Sequence, residues 1–337
     1  MRGGAGGGGA AGGAGERRLR LRRWLANAAV EPAALWGPVL PGLLARWAGR
    51  EVVLVFDPTP YRGSHSLLVV SVVWGERALP AAWAVQPQRE KWDEAMGPVL
   101  GRRLGRVAAA LPTGAAGSPP AGPVTVLLDR GLQGAEMVDA VLAHGWHPVL
   151  RLKTEAGEAA RLRRPGRPEE GLAAHVRAVA REGRCWAGEA ALFKAAGWRE
   201  GWPTVWWGPG QKEPPALFST RPGGMARVAE ERRRVRVEAT CQDLKGRGLG
   251  LEDGRLRTAA PLERLLLAVL LADWLDWVLG MRAVRQGAAR GARPRTARWR
   301  IGLRQLRAAL AGTAPLRAVL PFPVRPGPNG PRLRWVL

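Results

Sequence analysis

Residues 51–57 read EVVLVFD, an apolar run rich in β-branched side chains that ends in a carboxylate. A short run of this kind predicts a buried β-strand. Two similar runs follow, LLVVSVVW at 67–74 and another at 79–85, with glycine and proline residues between them. Turn residues at such short spacing are typical of antiparallel neighbours. The sequence therefore predicts a three-stranded meander at the start of the fold.

Strands and helices alternate farther along the chain, judged by the period of their apolar residues. The predicted elements are a helix at 92–111, a strand at 124–128, a helix at 135–144, a strand at 147–152, and helices at 225–245 and 261–279. A strand, a helix and another strand in succession form a parallel pair with a crossover. The expected fold class is therefore α/β, a mixed sheet flanked by helices.

Shifts in composition divide the chain into successive parts. The expected organisation is a disordered Gly/Ala tail at 1–16, a short helical segment at 17–50, a core domain at 51–153 and 225–280, an insertion at 154–224, and a basic C-terminal region at 281–337. The tail is expected to lack structure because glycine and alanine bury too little apolar surface to offset their ordering entropy.

Positive charge is concentrated at both ends of the chain. The 52 lysines and arginines exceed the 28 acids by 24 charges. The last 57 residues hold thirteen arginines and no acid, whereas the middle of the chain is only modestly basic. Such a surplus suits a polyanion such as DNA or RNA. Because 47 of the basic residues are arginine, a GC-rich genome is an alternative source of the excess, and the C-terminal arginines could form a disordered basic tail.

Several classes of protein are disfavoured by composition. Two cysteines and four histidines provide neither a disulfide framework nor a cluster at zinc spacing. The longest apolar stretch, at 265–280, is shorter than a bilayer span and is interrupted by Asp273 and Asp276. The N-terminus lacks the leucine-rich core of a signal peptide. A cytoplasmic protein without a membrane partner is expected.

Two aspartates follow two of the predicted strands. Asp57 comes directly after EVVLVF, and Asp129 comes directly after VTVLL. Open α/β sheets bind ligands at this end of their strands. Two carboxylates that share a crevice need a compensating cation, and a divalent metal ion would provide it. The alternative is that each aspartate only begins a turn.

A third set of charged residues occurs in the helix predicted at 225–245. Its members are spaced 3, 4, 3 and 4 residues apart: Glu231, Arg234, Glu238, Cys241 and Lys245. At 100° per residue they form one stripe about 80° wide on the helix surface. The alternative is a solvated face with intrahelical ion pairs.

Together these motifs resemble the bacterial insertion-sequence transposases that carry an Asp-Asp-Glu triad on a ribonuclease-H-like fold. In that family a Thr lies two positions after the first acid, as in DPT at 57–59. The second acid is the Asp of an Asp-Arg-Gly sequence that directly follows a strand, as in LLDRG at 127–131. The family's Tyr-Arg-Glu-Lys signature is matched in spacing by Arg234, Glu238 and Lys245, but Glu231 stands in place of the tyrosine. The resemblance covers about residues 50–280.

The resemblance implies a catalytic triad, Asp57, Asp129 and Glu238, that binds Mg²⁺, for which Mn²⁺ could substitute. It also implies that the insertion between the second Asp and the Glu helix is β-rich. The implied partners are the terminal inverted repeats of a transposon and a target DNA, bound by a homodimer that associates with the nucleoid.

Supporting roles at this site are also implied by the resemblance. Arg234 and Lys245 would contact DNA phosphates or position the glutamate. Thr59 would form a hydrogen bond near the first acid. Arg130 would contact a phosphate, or alternatively form a salt bridge with a neighbouring acid.

Five tryptophans lie within 22 positions of the insertion. Indoles can stack on an extruded or single-stranded base, and Trp206 and Trp207 are the candidates for this role. Packing within a small β-rich insertion explains the same tryptophans.

The favoured function is a DNA transposase that cleaves transposon ends and transfers the cut strand. One alternative is a degenerate transposase-derived protein that binds DNA without activity, which the Glu at position 231 leaves open. The other alternative is a related two-metal nuclease that cleaves without strand transfer.

Overall fold

The computed structural model describes residues 9–88, 92–114, 120–132, 134–155, 158–287 and 294–311. The chain divides into two compact units, residues 1–269 and 270–337. The first unit contains the complete sheet, and the second contains the end of one long helix and the helix that follows it. Of the predicted basic C-terminal region at 281–337, residues 288–293 and 312–337 lie outside the described residues.

Short helices precede the sheet, as predicted for 17–50. They are α1 (Gly9–Ala26), α2 (Pro32–Trp36), α3 (Leu40–Leu44) and a 3-10 turn (Ala45–Trp47). The structure differs from the expected tail because α1 already begins at Gly9; residues 1–8 are outside the described range. Extending an existing helix is easier than nucleating one, and the tail's alanines are strong helix formers. The indole Nε1 of Trp36 donates to the carbonyl of Ala81, which anchors this segment on the sheet.

The predicted meander is confirmed. Its strands are β1 (Val52–Tyr61), β2 (His65–Trp74) and β3 (Arg77–Pro87), paired antiparallel in that order. β1 extends farther than the apolar run, so that Asp57 lies within the strand and pairs with Val69. After Phe56, β1 pairs with β2 but no longer with β4. Pro58 and Pro60 are tolerated there because a backbone N–H is not needed on the side that β4 has left.

Two parallel strands extend the sheet on the other side of β1. They alternate with helices in the order α4 (Trp92–Ala110), β4 (Val124–Leu128), α5 (Ala135–Leu142) and β5 (His147–Arg151). β4 pairs parallel with β1 and with β5. Every residue of β4 is buried, which explains why four of its five residues are apolar. The protein therefore has the expected α/β class, with a mixed sheet flanked by helices.

The insertion contributes strands to the same sheet. Its elements are β6 (Arg161–Leu162), β7 (Glu170–Gly171), α6 (Leu172–Val179), β8 (Cys185–Ala187), β9 (Ala190–Leu192), β10 (Arg199–Trp206) and β11 (Ala216–Ser219). β11 pairs antiparallel with β5, which gives the sheet order β3-β2-β1-β4-β5-β11-β10-β8, with β9 paired to β10. The insertion is thus β-rich: most of its strands widen the main sheet, while β6 and β7 pair in a separate two-stranded sheet.

The segment predicted as one helix at 225–245 changes its winding twice. It consists of α7 (Met225–Glu231), a 3-10 turn (Arg232–Arg234), α8 (Val235–Gln242) and a π turn (Asp243–Arg247). A 3-10 turn (Leu251–Asp253) and α9 (Ala259–Arg285) follow. Val237 of α8 is buried against Val53, Val55 and Leu127 of the sheet. This apolar contact holds α8 over β1 and β4.

The second unit pairs two helices. α9 from residue 270 onward packs against α10 (Pro294–Leu310) through Leu275, Leu279, Leu306 and Ala309. The helices cross closely at two glycines: a Cβ at Gly302 would overlap the carbonyl oxygen of Asp276, and one at Gly280 would overlap that of Arg298. Trp299 Nε1 donates to Asp273 Oδ1 at 3.0 Å. A buried indole thus satisfies one of the two acids that interrupt the apolar stretch.

α9 is the longest helix of the described residues, with 27 residues. It carries both charged and aromatic side chains along its length. Within the described ranges, no helix combines the length and the apolar character needed to cross a membrane.

Candidate active site

Three acidic side chains lie together at one edge of the sheet. β1 and β4 are parallel, and Phe56 pairs with Leu128, so the next residues, Asp57 and Asp129, are also level with each other. Glu238 is on α8, which packs over the same strands. Asp129 and Glu238 both act electrostatically on Asp57. The structure therefore brings the three acids predicted from the sequence to one place.

The charge balance of this cluster changes the acidity of Asp57. Its pKa is raised from 3.8 to about 6, chiefly because burial disfavours the ionised carboxyl group. The charges of Asp129 and Glu238 raise the pKa further, whereas Arg234 and Lys245 lower it. Burial and the two neighbouring acids together outweigh the two cations, so the neutral form of Asp57 is favoured up to a pH of about 6.

The guanidinium of Arg234 lies among the acids. The residue is only 7% exposed. Its Nη2 is 3.5 Å from Oδ1 of Asp129, and its Nη1 is 3.9 Å from Oε1 of Glu238. Its Nε donates to Oε1 of Glu231 at 3.5 Å. Since these separations are long for ion pairs, Arg234 compensates several acids loosely and is not locked to one of them.

The stripe predicted on the helix faces the cluster, although the helix is irregular. A 3-10 turn is tighter than an α-helix and a π turn is wider, so the two changes in winding act in opposite directions. Cys241 and Lys245, at the far end of the stripe, consequently still lie beside Asp57. The thiol Sγ of Cys241 is 3.9 Å from Oδ2 of Asp57. The stripe therefore borders the sheet at Arg234, Cys241 and Lys245, whereas the side chain of Glu238 is 58% exposed to solvent.

Lys245 ties the end of the helix to the end of β1. Its Nζ donates to the carbonyl of Pro60 at 2.7 Å and lies 3.5 Å from Oε1 of Glu252. It is close enough to Asp57 to lower the pKa of that carboxyl group. Because Lys245 binds the backbone of the strand that carries Asp57, its positive charge lies near that carboxyl group.

Thr59 and Arg130 lie next to the acids but differ in what they contact. Thr59 is two positions after Asp57 in β1, so both side chains are on one face of the strand. Its hydrogen bond near the first acid stays a prediction. Arg130 directly follows Asp129, but its Nη1 pairs with Oε1 of Glu213 at 3.2 Å. The predicted salt bridge of Arg130 therefore goes to an exposed acid of the insertion.

A cleft of about 540 Å³ is lined by Arg130, the residue that follows Asp129, and by residues at the end of β5. Leu128 of β4 pairs with Leu150 of β5, so Arg151 is level with Asp129. The charged and aromatic side chains that line the cleft are Arg130, Arg151, Lys153, Arg177, Glu155, Glu213 and Trp207. Four cations against two acids make this cleft electropositive. It is open to solvent and suits an anionic chain.

The two candidate tryptophans are in different environments. Trp207 lines the electropositive cleft, and its Nε1 donates to the carbonyl of Gln211 at 3.1 Å. Trp206, the last residue of β10, has its Nε1 buried next to Gly208. Neighbouring residues of a strand point to opposite faces, which explains the difference. The geometry therefore separates a cleft residue, Trp207, from a packing residue, Trp206.

The cluster was tested as a place for a metal ion. In the described part of the chain, no group of three or more His, Cys, Asp and Glu side chains is arranged to hold one. The donor chemistry nevertheless fits Mg²⁺, since carboxylates supply only hard oxygen atoms. The pKa of Asp57 is raised chiefly by burial, and the charges of Asp129 and Glu238 raise it further; a cation bound at the acids would oppose both effects. Glu238 has a side chain 58% exposed, so a change of rotamer could turn its carboxylate toward the aspartates.

Of the four basic residues of the cleft, sequence reasoning identified only Arg130. Arg151 and Lys153 had a detectable signal, because they end a core strand just as the two aspartates do. Arg177 is an ordinary basic residue of α6, and only the tertiary structure brings it to the cleft. A second unforeseen feature is a buried ion pair between Arg77 and Asp243 beside the π turn.

The chain was also compared with known proteins. No protein-family model matches it, and no curated protein matches it significantly.

Proposed function

We propose that this protein is a DNA transposase of an insertion sequence, which cleaves DNA ends and joins the cut strand to a target with an Asp-Asp-Glu triad. The observation that carries the proposal is the meeting of Asp57, Asp129 and Glu238 beside an electropositive cleft. The three acids come from two neighbouring strands and one helix. The cleft next to them is positively charged, so it attracts a polyanion. Such a combination suits chemistry on a phosphodiester.

The sheet supports a ribonuclease-H-like fold for the catalytic unit. Three antiparallel strands are followed by two parallel ones in the order β3-β2-β1-β4-β5. The first and second acids lie on the central strands β1 and after β4, and the third lies on a helix packed over them. This arrangement is the one that the resemblance to insertion-sequence transposases implies.

The residues of the site divide the work of phosphoryl transfer. Asp57, Asp129 and Glu238 would hold Mg²⁺ or Mn²⁺, which supplies activation of the attacking oxygen and charge neutralisation at the leaving oxygen. Arg234 keeps positive charge among the acids and Lys245 keeps it at the end of β1, and a scissile phosphate would lie between these positions. Arg130 and the cleft cations would then orient the flanking strand by its phosphates.

The substrates proposed for this site are transposon terminal repeats and a target DNA, bound by a homodimer. A strand-transfer assay with Mg²⁺, a labelled transposon end and a supercoiled plasmid tests the proposal. Joined products are the expected result. Nicks without joined products would favour a two-metal nuclease.

A degenerate DNA-binding protein is the second candidate, and one observation favours it. Glu231 replaces the family's tyrosine and engages Arg234, so a fourth acid competes for the cation of the site. DNA binding without nicks or joined products, in Mg²⁺ and in Mn²⁺, would support this candidate and contradict the transposase.

The raised pKa of Asp57 makes metal binding depend on pH. The folded protein takes up a proton at Asp57 below pH of about 6, whereas the unfolded chain does so only near 3.8. The metal-free fold is therefore expected to gain stability from this group as the pH falls from about 6 toward 4. Stabilisation by Mg²⁺ should do the opposite, because the ion needs the ionised carboxylate.

Thermal unfolding with and without Mg²⁺ across this pH range measures both effects. The shift in Tm caused by Mg²⁺ is expected at neutral pH and should fade below a pH of about 6. Asp57→Asn, which removes the titrating group, should abolish both dependences. A Mg²⁺ shift that persists unchanged at pH of about 5 would contradict the assignment of Asp57.

Trp207 is expected to stack on a base of the strand in the cleft. Trp207→Ala should weaken binding of a single-stranded oligonucleotide by about 1–3 kcal/mol, roughly 5- to 150-fold. Trp206→Ala is the matched control, since that indole does not line the cleft. Fluorescence anisotropy measures both affinities, and equal losses in the two variants would argue that the tryptophans only pack the insertion.

A further inference from the structure

The helix that carries the third acid ends in a π turn, Asp243–Arg247. This winding is rare; it occurs mostly as single turns, and these are frequent at functional sites. Lys245 lies in the middle of the turn and donates to the carbonyl of Pro60. The irregular winding is therefore found at the position that brings a cation to the end of β1.

A buried ion pair lies at the start of the same turn. Nε of Arg77 donates to Oδ2 of Asp243 at 3.0 Å, and both side chains are almost fully buried. Arg77 is the first residue of β3, on the side of the helix opposite to solvent. Its neighbour Ala78 donates its backbone N–H to Oγ1 of Thr240 at 3.3 Å. Two directed polar contacts thus fix the end of α8 on β3.

We infer that Arg77 and Asp243 are positioning residues that hold the π turn and thereby place Lys245 beside Asp57. The inference rests on the proposed function, in which Lys245 meets a phosphate of the DNA. The pair acts only through Lys245, because neither side chain is exposed enough to contact a substrate. A regular α-helical winding after Gln242 would rotate Lys245 away from the carbonyl that it now contacts.

Stability alone does not explain this pair. Exchanging a buried ion pair for apolar side chains of similar volume is often neutral or stabilising, because desolvation offsets the attraction between the charges. Apolar side chains, however, provide no directed hydrogen bond. The pair supplies a hydrogen bond of fixed direction, which holds Asp243 in place. A π turn needs such a contact because it is less favourable than α-helical winding.

The test measures the salt dependence of DNA binding by the full-length protein, with a labelled duplex as the probe. Each phosphate contact contributes about one unit to the slope of log K against log salt. Lys245→Ala should lower the slope by about one. The double variant Arg77→Met/Asp243→Leu should lower it equally and keep the wild-type Tm, and adding Lys245→Ala to it should change nothing more.

Arg77→Lys serves if the double variant does not fold. It keeps the buried positive charge but loses the planar donor, so it should fold and still show the reduced slope. Arg199→Lys is the matched control, because it alters another Arg–Asp pair, with Asp139, away from the site. This control should keep the wild-type slope.

The outcomes separate the inference from the function on which it rests. A wild-type slope in the double variant or in Arg77→Lys, beside a reduced slope in Lys245→Ala, would overturn the inference alone. So would a wild-type slope in Lys245→Ala. Absence of salt-dependent binding by the wild-type protein would overturn the proposed function and the inference with it.

Discussion

Glu238→Ala is expected to reduce cleavage of a transposon end by at least about a thousandfold, equivalent to about 4 kcal/mol of transition-state stabilisation. Binding of the DNA should change little, since Glu238 repels phosphates and contributes no attraction. Asp57→Ala and Asp129→Ala should have the same effect. Gel-based cleavage and anisotropy binding, both with Mg²⁺, measure the two quantities separately.

The reason for so large an effect is that the three acids are expected to act as a unit. Asp57 and Asp129 come from neighbouring parallel strands, but the third oxygen donor comes only from α8. Groups that act as a unit lose nearly all activity when one is removed, so the double variant Asp129→Ala/Glu238→Ala should be no slower than either single variant.

The control for this experiment is Glu200→Ala. Glu200 is an exposed acid on β10 that pairs with Arg163, and it lies outside the cluster. Its removal changes the net charge by the same amount and should leave cleavage intact. Cleavage by Glu238→Ala at the rate of Glu200→Ala would exclude Glu238 from the chemistry.

Arg234→Ala is expected to lower the free energy of unfolding of the metal-free protein by about 2–3 kcal/mol. Removing one partner of a fully buried ion pair costs about 3–5 kcal/mol. The loss should fall just below this range because Asp129 and Glu238 are partly exposed. The loss has a physical cause: the variant leaves Asp57, Asp129 and Glu238 without their buried cation.

Mg²⁺ should restore much of the stability of Arg234→Ala, because an ion held by the acids would replace the missing positive charge. Urea denaturation with and without Mg²⁺ measures this rescue. Arg233→Ala is the matched control: its pair with Glu51 is exposed and should be worth less than about 1 kcal/mol. Equal stability of the two variants, or no rescue by Mg²⁺, would contradict the view of Arg234 as the cluster's own counter-ion.

Much of the fold could be predicted because the buried strands are largely apolar runs. Residues 52–56 and 124–128 are buried throughout, so their sequence alone indicated buried strands. An acid directly after each run then indicated the edge at which a site would form. The stripe from Glu231 to Lys245 was predictable for a similar reason, since helical spacing repeats along the chain.

Features that depend on distant contacts could not be predicted. The 3-10 and π turns around α8 give no signal in a local pattern, because Arg77 and Asp243 are 166 positions apart. The length of β1 was underestimated because two prolines normally argue against a strand, and only the missing neighbour on one side makes them acceptable. The insertion joins the main sheet through the pairing of β11 with β5, which are far apart along the chain, so this too could not be predicted.

The amino-acid order by itself determined which residues carry charge and which segments form strands and helices, because apolar periodicity is a local property. It also placed two acids at the ends of predicted strands and a third on a predicted helix. Only the tertiary structure decided that Arg234 would be buried among them, that Trp207 and not Trp206 would line a cleft, and that four cations would gather there. The physical reason is that burial and electrostatics act through space, between side chains whose separation along the chain carries no information about their distance.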